Sequence, residues 1–309
     1  MSNKIDLLKQ NLEKLERLAK GSKMRRLLAH PMHYIYGMIL SKVIYPRQKK
    51  GVLREANTFF GDKMSVVLPA GLDIYLVKGK SHDSEIRLAK FMINQLSEGD
   101  TYLDIGAHFG YFSLLAAHLV GEKGNVFAYE ASKSTYSILL KNTAKNLIIR
   151  AFHNALSDKK ETLTFFEFPV LFSEYNSLDV TQFENEEWYK KFPPQHIAVE
   201  ATTLSDIVFT HQIQPKIIKI DVEGAENAVM QGATTLLDTQ APLIVMEYLA
   251  SERHNETHRK AAQIVENANF QAYIINSEGN LEPCFEVEKY LLEKGLDSDN
   301  IVFVKGKQI

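Results

Sequence analysis

From residue 101 onward, short apolar runs alternate with helical stretches, and no other feature constrains the fold as tightly. Tyr102–Ile105, Asn125–Glu130, Ile148–Phe152, Ile217–Ile220, Leu243–Met246, Gln271–Ile275 and Ile301–Val304 read as strands. Phe112–Leu119, Ser134–Lys145, Ala225–Leu237, His258–Ala268 and Val287–Lys294 read as the helices that separate them. Short apolar strands joined through helices predict a doubly wound, mostly parallel α/β sheet. A polar and aromatic stretch from about 159 to 200 interrupts the alternation. The length, 309 residues, allows two units or one large domain with additions.

Charge divides the chain. Residues 1–50 hold 12 Lys/Arg against 3 Asp/Glu, whereas the remainder holds 24 against 35. The break, near Pro46, Lys49, Lys50 and Gly51, predicts a basic helical arm over 1–60 and a body over 61–309. In the arm, Ile5, Leu8, Leu12, Leu15 and Ala19 recur at three- and four-residue spacing, so 4–20 reads as an amphipathic helix. Residues 24–50 set Arg25, Arg26, Lys42, Arg47, Lys49 and Lys50 around the apolar run Tyr34–Tyr45, which is too short to cross a bilayer. Three readings stay open for this arm: packing on the body, peripheral contact with a membrane interface, or self-association through the leucine stripe. Val66–Val77 reads as two short strands turned by Pro69, Ala70 and Gly71.

Composition excludes several classes. A formal net charge of −2 gives no reason to expect nucleic acid as a partner. The lone Cys284 permits neither an intramolecular disulfide nor a cysteine-based zinc cage. Met1 is not followed by a signal-peptide pattern, and no apolar run reaches the length of a transmembrane helix. A cytoplasmic location is therefore expected, with contact at the inner face of a membrane as the open alternative. The sequence is silent on oligomeric state.

The most informative segment is Asp104-Ile105-Gly106-Ala107-His108-Phe109-Gly110, between the first strand of the alternation and its helix. Glycines at such a turn let a ligand approach backbone amides at a helix N-terminus. A dinucleotide fingerprint needs a third glycine where His108 stands, and the Walker lysine is absent. An acid at the strand end would repel a pyrophosphate but suit an ammonium group. Glu130 ends the next strand, 20 residues after Gly110, in place to meet ribose hydroxyls. A ribose without a pyrophosphate, together with an ammonium, describes S-adenosylmethionine. The competing readings are a tight turn capped by Asp104 and a solvated strand end at Glu130.

Here the chain resembles the FkbM family of S-adenosylmethionine-dependent methyltransferases. Tyr102 to Ser113 is similar to that family's first motif, with His108 where asparagine is usual. Ala128-Tyr129-Glu130-Ala131 resembles its second strand, with Ala131 where proline is usual. Asn154 to Asp158, Thr203 to Ile207, Lys219 to Glu226 and Pro242 to Glu247 follow in the family's order. The resemblance runs from about residue 80 to 305. It implies a seven-stranded class I sheet whose last strand, Ile301–Val304, is antiparallel, and methyl transfer to oxygen of a sugar, glycolipid or other small natural product. It also implies Asp104, Gly106, Ala107, His108 and Gly110 around the methionine end, Glu130 at the ribose, and Asn154, Ala155 and Ser157 near the adenine.

In that strand order the acids Asp221, Glu223 and Glu247 lie at the mouth of the sheet. An alcohol nucleophile must lose its proton, and Asp221 or His108 is the candidate base. No metal site is expected, although Asp221 and Glu247 as magnesium ligands stay an alternative. Lys219, inside a central strand, needs a carboxylate partner. Glu223 and Glu226 read as acids at the start of the following helix. His254 and His258 read as a solvated helix start, and Tyr175, Trp188, Tyr189 and Phe192 as either a lid or a loop packed on its own side chains. The function expected is an O-methyltransferase. Its rivals are a non-catalytic cofactor-binding scaffold and a nicotinamide-dependent oxidoreductase.

Overall fold

The structure, a computed structural model, describes residues 2–178, 180 and 184–306. Its strands are β1 (Val52–Asn57), β2 (Lys63–Leu68), β3 (Thr101–Ile105), β4 (Asn125–Tyr129), β5 (Ile149–Phe152), β6 (Ala155–Leu156) and β7 (Glu161–Glu167). There follow β8 (Gln195–Thr202), β9 (Ile217–Ile220), β10 (Leu243–Leu249), β11 (Phe270–Ile275), β12 (Leu281–Pro283) and β13 (Ser298–Lys305).

The central sheet has the order β12-β11-β13-β10-β9-β3-β4-β5. Strands β3, β4, β5, β9 and β10 are parallel to their neighbours in this run. Strand β13 inserts antiparallel between β10 and β11. The seven strands expected are all present, including the antiparallel last one. The eighth, β12, is a three-residue strand on β11, too short for periodicity to reveal.

Alternation along the strands builds two cores. Tyr102, Val126, Ile217, Val245 and Val302 point to one layer, and Leu103, Phe127, Ile218, Ile244 and Phe303 to the other. Both faces are covered, which is why these strands carry continuous apolar runs.

Helix Ser2–Ala19 buries Leu8, Leu12 and Leu15 in the first core, beside helix Asp83–Gln95. Each such leucine contributes roughly 2 kcal/mol, so the stripe that could have served self-association is occupied within the chain. Two pairs seal the seam, Lys90 to Glu16 at 2.7 Å and Lys20 to Asp83 at 2.9 Å. Strand β1 pairs antiparallel with β2, from Val52 opposite Leu68 to Asn57 opposite Lys63.

Two local expectations change. Beyond β2 the chain forms helix Leu72–Val77, not a second strand. A short apolar run serves equally as a strand or a buried helix turn, and Ile74 and Val77 are buried on that helix. The stretch 159–200 carries β7 and β8, which build a three-stranded sheet with β6, plus a helical turn Val170–Tyr175 and helix Glu187–Lys191. Residues 179 and 181–183 of that stretch lie outside the described residues.

Candidate active site

The site grows from the ends of β3, β4, β9 and β10. Register sets Asp104 of β3 directly opposite Lys219 of β9. Lys219 is buried, with its Nζ 3.0 Å from Asp221 Oδ2 and 3.7 Å from Asp104 Oδ1. Burial works against its charge, but Asp221 and Asp104 outweigh it and hold the ammonium above the ordinary lysine value. The partner that a lysine in a central strand requires is therefore two carboxylates.

After β3 the chain turns sharply. Gly106 has φ +80°, and a Cβ there would stand 1.8 Å from the Asp221 carbonyl oxygen. Only glycine lets the two strand ends meet so closely. His108 is also left-handed, with φ +49°. Histidine is among the residues that tolerate this region. The His108 backbone N–H donates to Glu130 Oε2 and the Ser132 N–H to Glu130 Oε1, both at 2.8 Å. Glu130 thus ties the glycine turn to the end of β4. Burial pushes its carboxyl up to about 7 against these two backbone bonds.

A cavity of about 590 Å³ opens over these strand ends, within the size range of small-molecule sites. Of the residues expected at the site, Gly106, Ala107, His108, Glu130, Asn154, Ala155 and Asp221 line it. Asp104, Gly110 and Ser157 do not. Asp104 is buried behind the turn, where it accepts from Ser113 Oγ at 2.5 Å and faces Lys219. It shapes the turn from within. A Cβ on Gly110 would meet Leu139 Cδ1 at 2.6 Å, so this glycine serves helix packing and not ligand approach. Ser157 donates to Asp158 Oδ1 at 3.0 Å and is buried.

The cavity wall is strongly acidic. Asp221, Glu223 and Glu247 each offer a carboxylate oxygen, all within 4.8 Å of one another. Three acids at this spacing can hold a cation, and the third, Glu223, enlarges the Asp221–Glu247 pair expected from sequence. Burial and the neighbouring acids raise Glu223 well above the ordinary carboxylate value and Glu247 to about 8. Asp221 differs: burial pushes it up, but Lys219 overrides this and holds it below the ordinary value. His108 falls to about 4 through burial, so its ring is neutral at pH 7.

Glu226 opens the helix that follows β9, as its sequence reading expects, while the reading of His258 is corrected. Glu226 is fully buried and accepts from the Val222 and Gly224 N–H groups at 3.1 and 3.0 Å. It pins the turn that presents Glu223. His258, far from being solvated, is buried with Nε2 3.3 Å from Glu226 Oε2. The aromatic group packs mainly on itself: Trp188 stacks on Phe172 at 4.5 Å and on Tyr175 at 5.0 Å, and of the group Tyr175 alone reaches the cavity.

The opposite wall carries charges that no motif marked. Lys80 lies 3.1 Å from both Glu85 and Glu174, joining the 170–175 turn to helix Asp83–Gln95. Glu174 comes from a segment far from Lys80 and Glu85, and the three share no periodic signature.

The arrangement so far is an acidic cavity, a glycine turn and an acid at the end of β4 that holds it, on a sheet with an inserted antiparallel strand. The family model described as the methyltransferase FkbM domain matches residues 104–272, more than half of the chain. The chain belongs to the FkbM methyltransferase family. Its fold is that of the class I S-adenosylmethionine-dependent methyltransferases, and S-adenosylmethionine is its cofactor. Among solved structures, an FkbM methyltransferase from Methylobacillus flagellatus matches at 12% identity and TM-score 0.42, over 91% of this chain and 59% of that one. The chain thus spans less than two thirds of that protein's length. An S-adenosylmethionine-dependent O-methyltransferase from Thermotoga maritima matches at 13% identity and TM-score 0.39, over 83% and 78% of the two chains. Fibrillarin from Aeropyrum pernix, solved with bound S-adenosylmethionine, matches at 10% identity and TM-score 0.38, over 71% and 74%. A comparison with curated proteins finds no match.

The FkbM site fits its cofactor chemically. Both Glu130 oxygens keep a lone pair beyond their backbone bond, enough for the two hydroxyls of a ribose.

Proposed function

We propose that this FkbM methyltransferase transfers a methyl group to a hydroxyl oxygen of a small polar acceptor, such as a sugar, a glycolipid head or another natural product. The observation that carries this reading is the meeting of the Gly106–His108 turn, Glu130 and Asp221 in one cavity. S-adenosylmethionine, when bound, supplies an electrophilic methyl group. What the chain must add is orientation of the acceptor and an outlet for its proton. Asp221, kept ionised by Lys219, is the carboxylate ready to accept a proton at neutral pH, while burial disfavours protonation of His108. Glu223 and Glu247 are raised first by burial and then by neighbouring acids, Glu247 acting on Glu223 and Asp221 on Glu247. They therefore favour the protonated form, which can donate hydrogen bonds to acceptor oxygens.

Asp221→Asn should leave S-adenosylmethionine affinity intact and lower turnover about a hundredfold or more, the scale of general-base assistance. Full turnover by the variant would remove Asp221 from the chemistry. Cofactor binding without turnover on any hydroxyl acceptor would favour the scaffold reading. Family membership removes the nicotinamide alternative. The acidic trio supports a second reading, in which a divalent cation held by Asp221, Glu223 and Glu247 acidifies the acceptor hydroxyl. Loss of activity in EDTA with recovery on adding magnesium would establish it, and indifference to EDTA would dismiss it.

A further inference from the structure

Between Arg17 and Arg54 the chain holds ten Lys/Arg and no Asp/Glu, although its formal net charge is −2. This segment forms helices Lys23–Ala29 and Pro31–Ile39, a π-helical turn Leu40–Ile44 and helix Tyr45–Gln48. One side of it is seated. Gly37, Leu40 and Tyr45 are buried, Gly37 lies against Leu72, and Tyr45 Oη accepts from the Leu171 N–H at 3.1 Å. The other side is bare. Met24, Leu28, Met32, Ile35, Ile39 and Val43, at four-, four-, three-, four- and four-residue steps, are between 44% and 77% exposed. Within helix Pro31–Ile39 and the turn that continues it, such spacing places Met32, Ile35, Ile39 and Val43 along one face. Met24 and Leu28 lie a turn apart on the helix before it.

We propose that this stripe is a docking surface for an anionic lipid bilayer, with the segment lying in the plane of the interface. Charge selects the occupant. An apolar helical face with basic residues around it and no acid within its own segment matches acyl chains beneath anionic headgroups. A second copy seated on the same stripe would oppose two strongly basic segments, which repel. Among the described residues no helix is long and apolar enough to cross a membrane, so the contact is superficial. Its seating matters for the enzyme: the segment packs on helix Leu72–Val77 and, through Tyr45, on the turn Val170–Tyr175, and both elements contribute to the cavity wall. Docking would therefore hold the cavity rim beside the headgroup layer.

Flotation of the full chain with phosphatidylcholine vesicles, with and without phosphatidylglycerol, tests this. The chain should float with phosphatidylglycerol vesicles at low salt, less at high salt, and not with phosphatidylcholine alone. Met32→Ser/Ile35→Ser/Ile39→Ser should abolish flotation with thermal unfolding unchanged. Should that variant unfold, Lys42→Gln/Arg47→Gln decides, and it should weaken partitioning about thirtyfold. Absence of flotation at every salt concentration would overturn the proposal, as would flotation insensitive to both variants. A dimer in solution that the triple serine variant dissociates, in a chain that ignores vesicles, would assign the stripe to a second copy instead.

Discussion

Glu130 shows how one side chain that lines a cavity can also build it. Its carboxylate takes two backbone N–H groups, one from the left-handed residue His108, and so holds the glycine turn in shape. The same residue lines the cavity. Glu130→Ala should weaken S-adenosylmethionine binding by about 1.5–3 kcal/mol, the range for hydrogen bonds to a charged group, as read by titration calorimetry. An affinity unchanged within error would leave Glu130 as scaffolding only. Asp104 makes the contrast. It sits at the equivalent end of β3 but turns inward to Ser113 and Lys219, where it supports the turn from behind.

At the scale of elements, the decisive feature is the pair of parallel strands β9 and β10, whose ends crowd Asp221, Glu223 and Glu247 together. The turn after β9 is held open by Glu226, and Glu223 adopts φ +53° within it. This crowding has a pH signature. Glu247 titrates near 8 in the folded protein against an ordinary value of 4.5. Between those values the folded state keeps a proton that the unfolded chain has released, so stability is lost as pH rises through the window. Glu130 and Asp73, both raised to about 7, act in the same direction. His108 acts oppositely, but only between about 4 and its ordinary value of 6.5. The melting temperature should therefore fall from pH 6.5 to 8, and Glu247→Gln should flatten that fall. A wild-type melting temperature that rises over this range would contradict the raised acids.

For the molecule as a whole, integrity depends on contacts that span the sequence. Arg87 of helix Asp83–Gln95 meets Asp299 of β13 through two bonds, at 3.0 and 3.1 Å, and Tyr290 Oη donates to the same carboxylate at 2.7 Å. Asp299 is buried, and the Arg87 guanidinium also donates to the Ile275 carbonyl. The network fastens the helix to the antiparallel strand β13 inside the sheet. Asp299→Ala leaves a buried guanidinium without its main partner and should cost about 3–5 kcal/mol in urea unfolding. A loss under about 1 kcal/mol would mean that water replaces the carboxylate.

Strand periodicity, the glycine turn, Glu130 and the need of Lys219 for a partner were all legible in the sequence, because each is a local consequence of backbone pattern or of burying a charge. The strand order and the antiparallel last strand were legible through resemblance. What only the tertiary structure decided is which side chains meet. The inward turn of Asp104, the packing of Gly110 on Leu139 and the burial of His258 on Glu226 depend on segments far apart in the chain. The same holds for the Lys80–Glu174 wall and for Glu223 as the third acid of the trio. Periodicity reports which face of an element is buried, and it carries no record of what the opposing element places there.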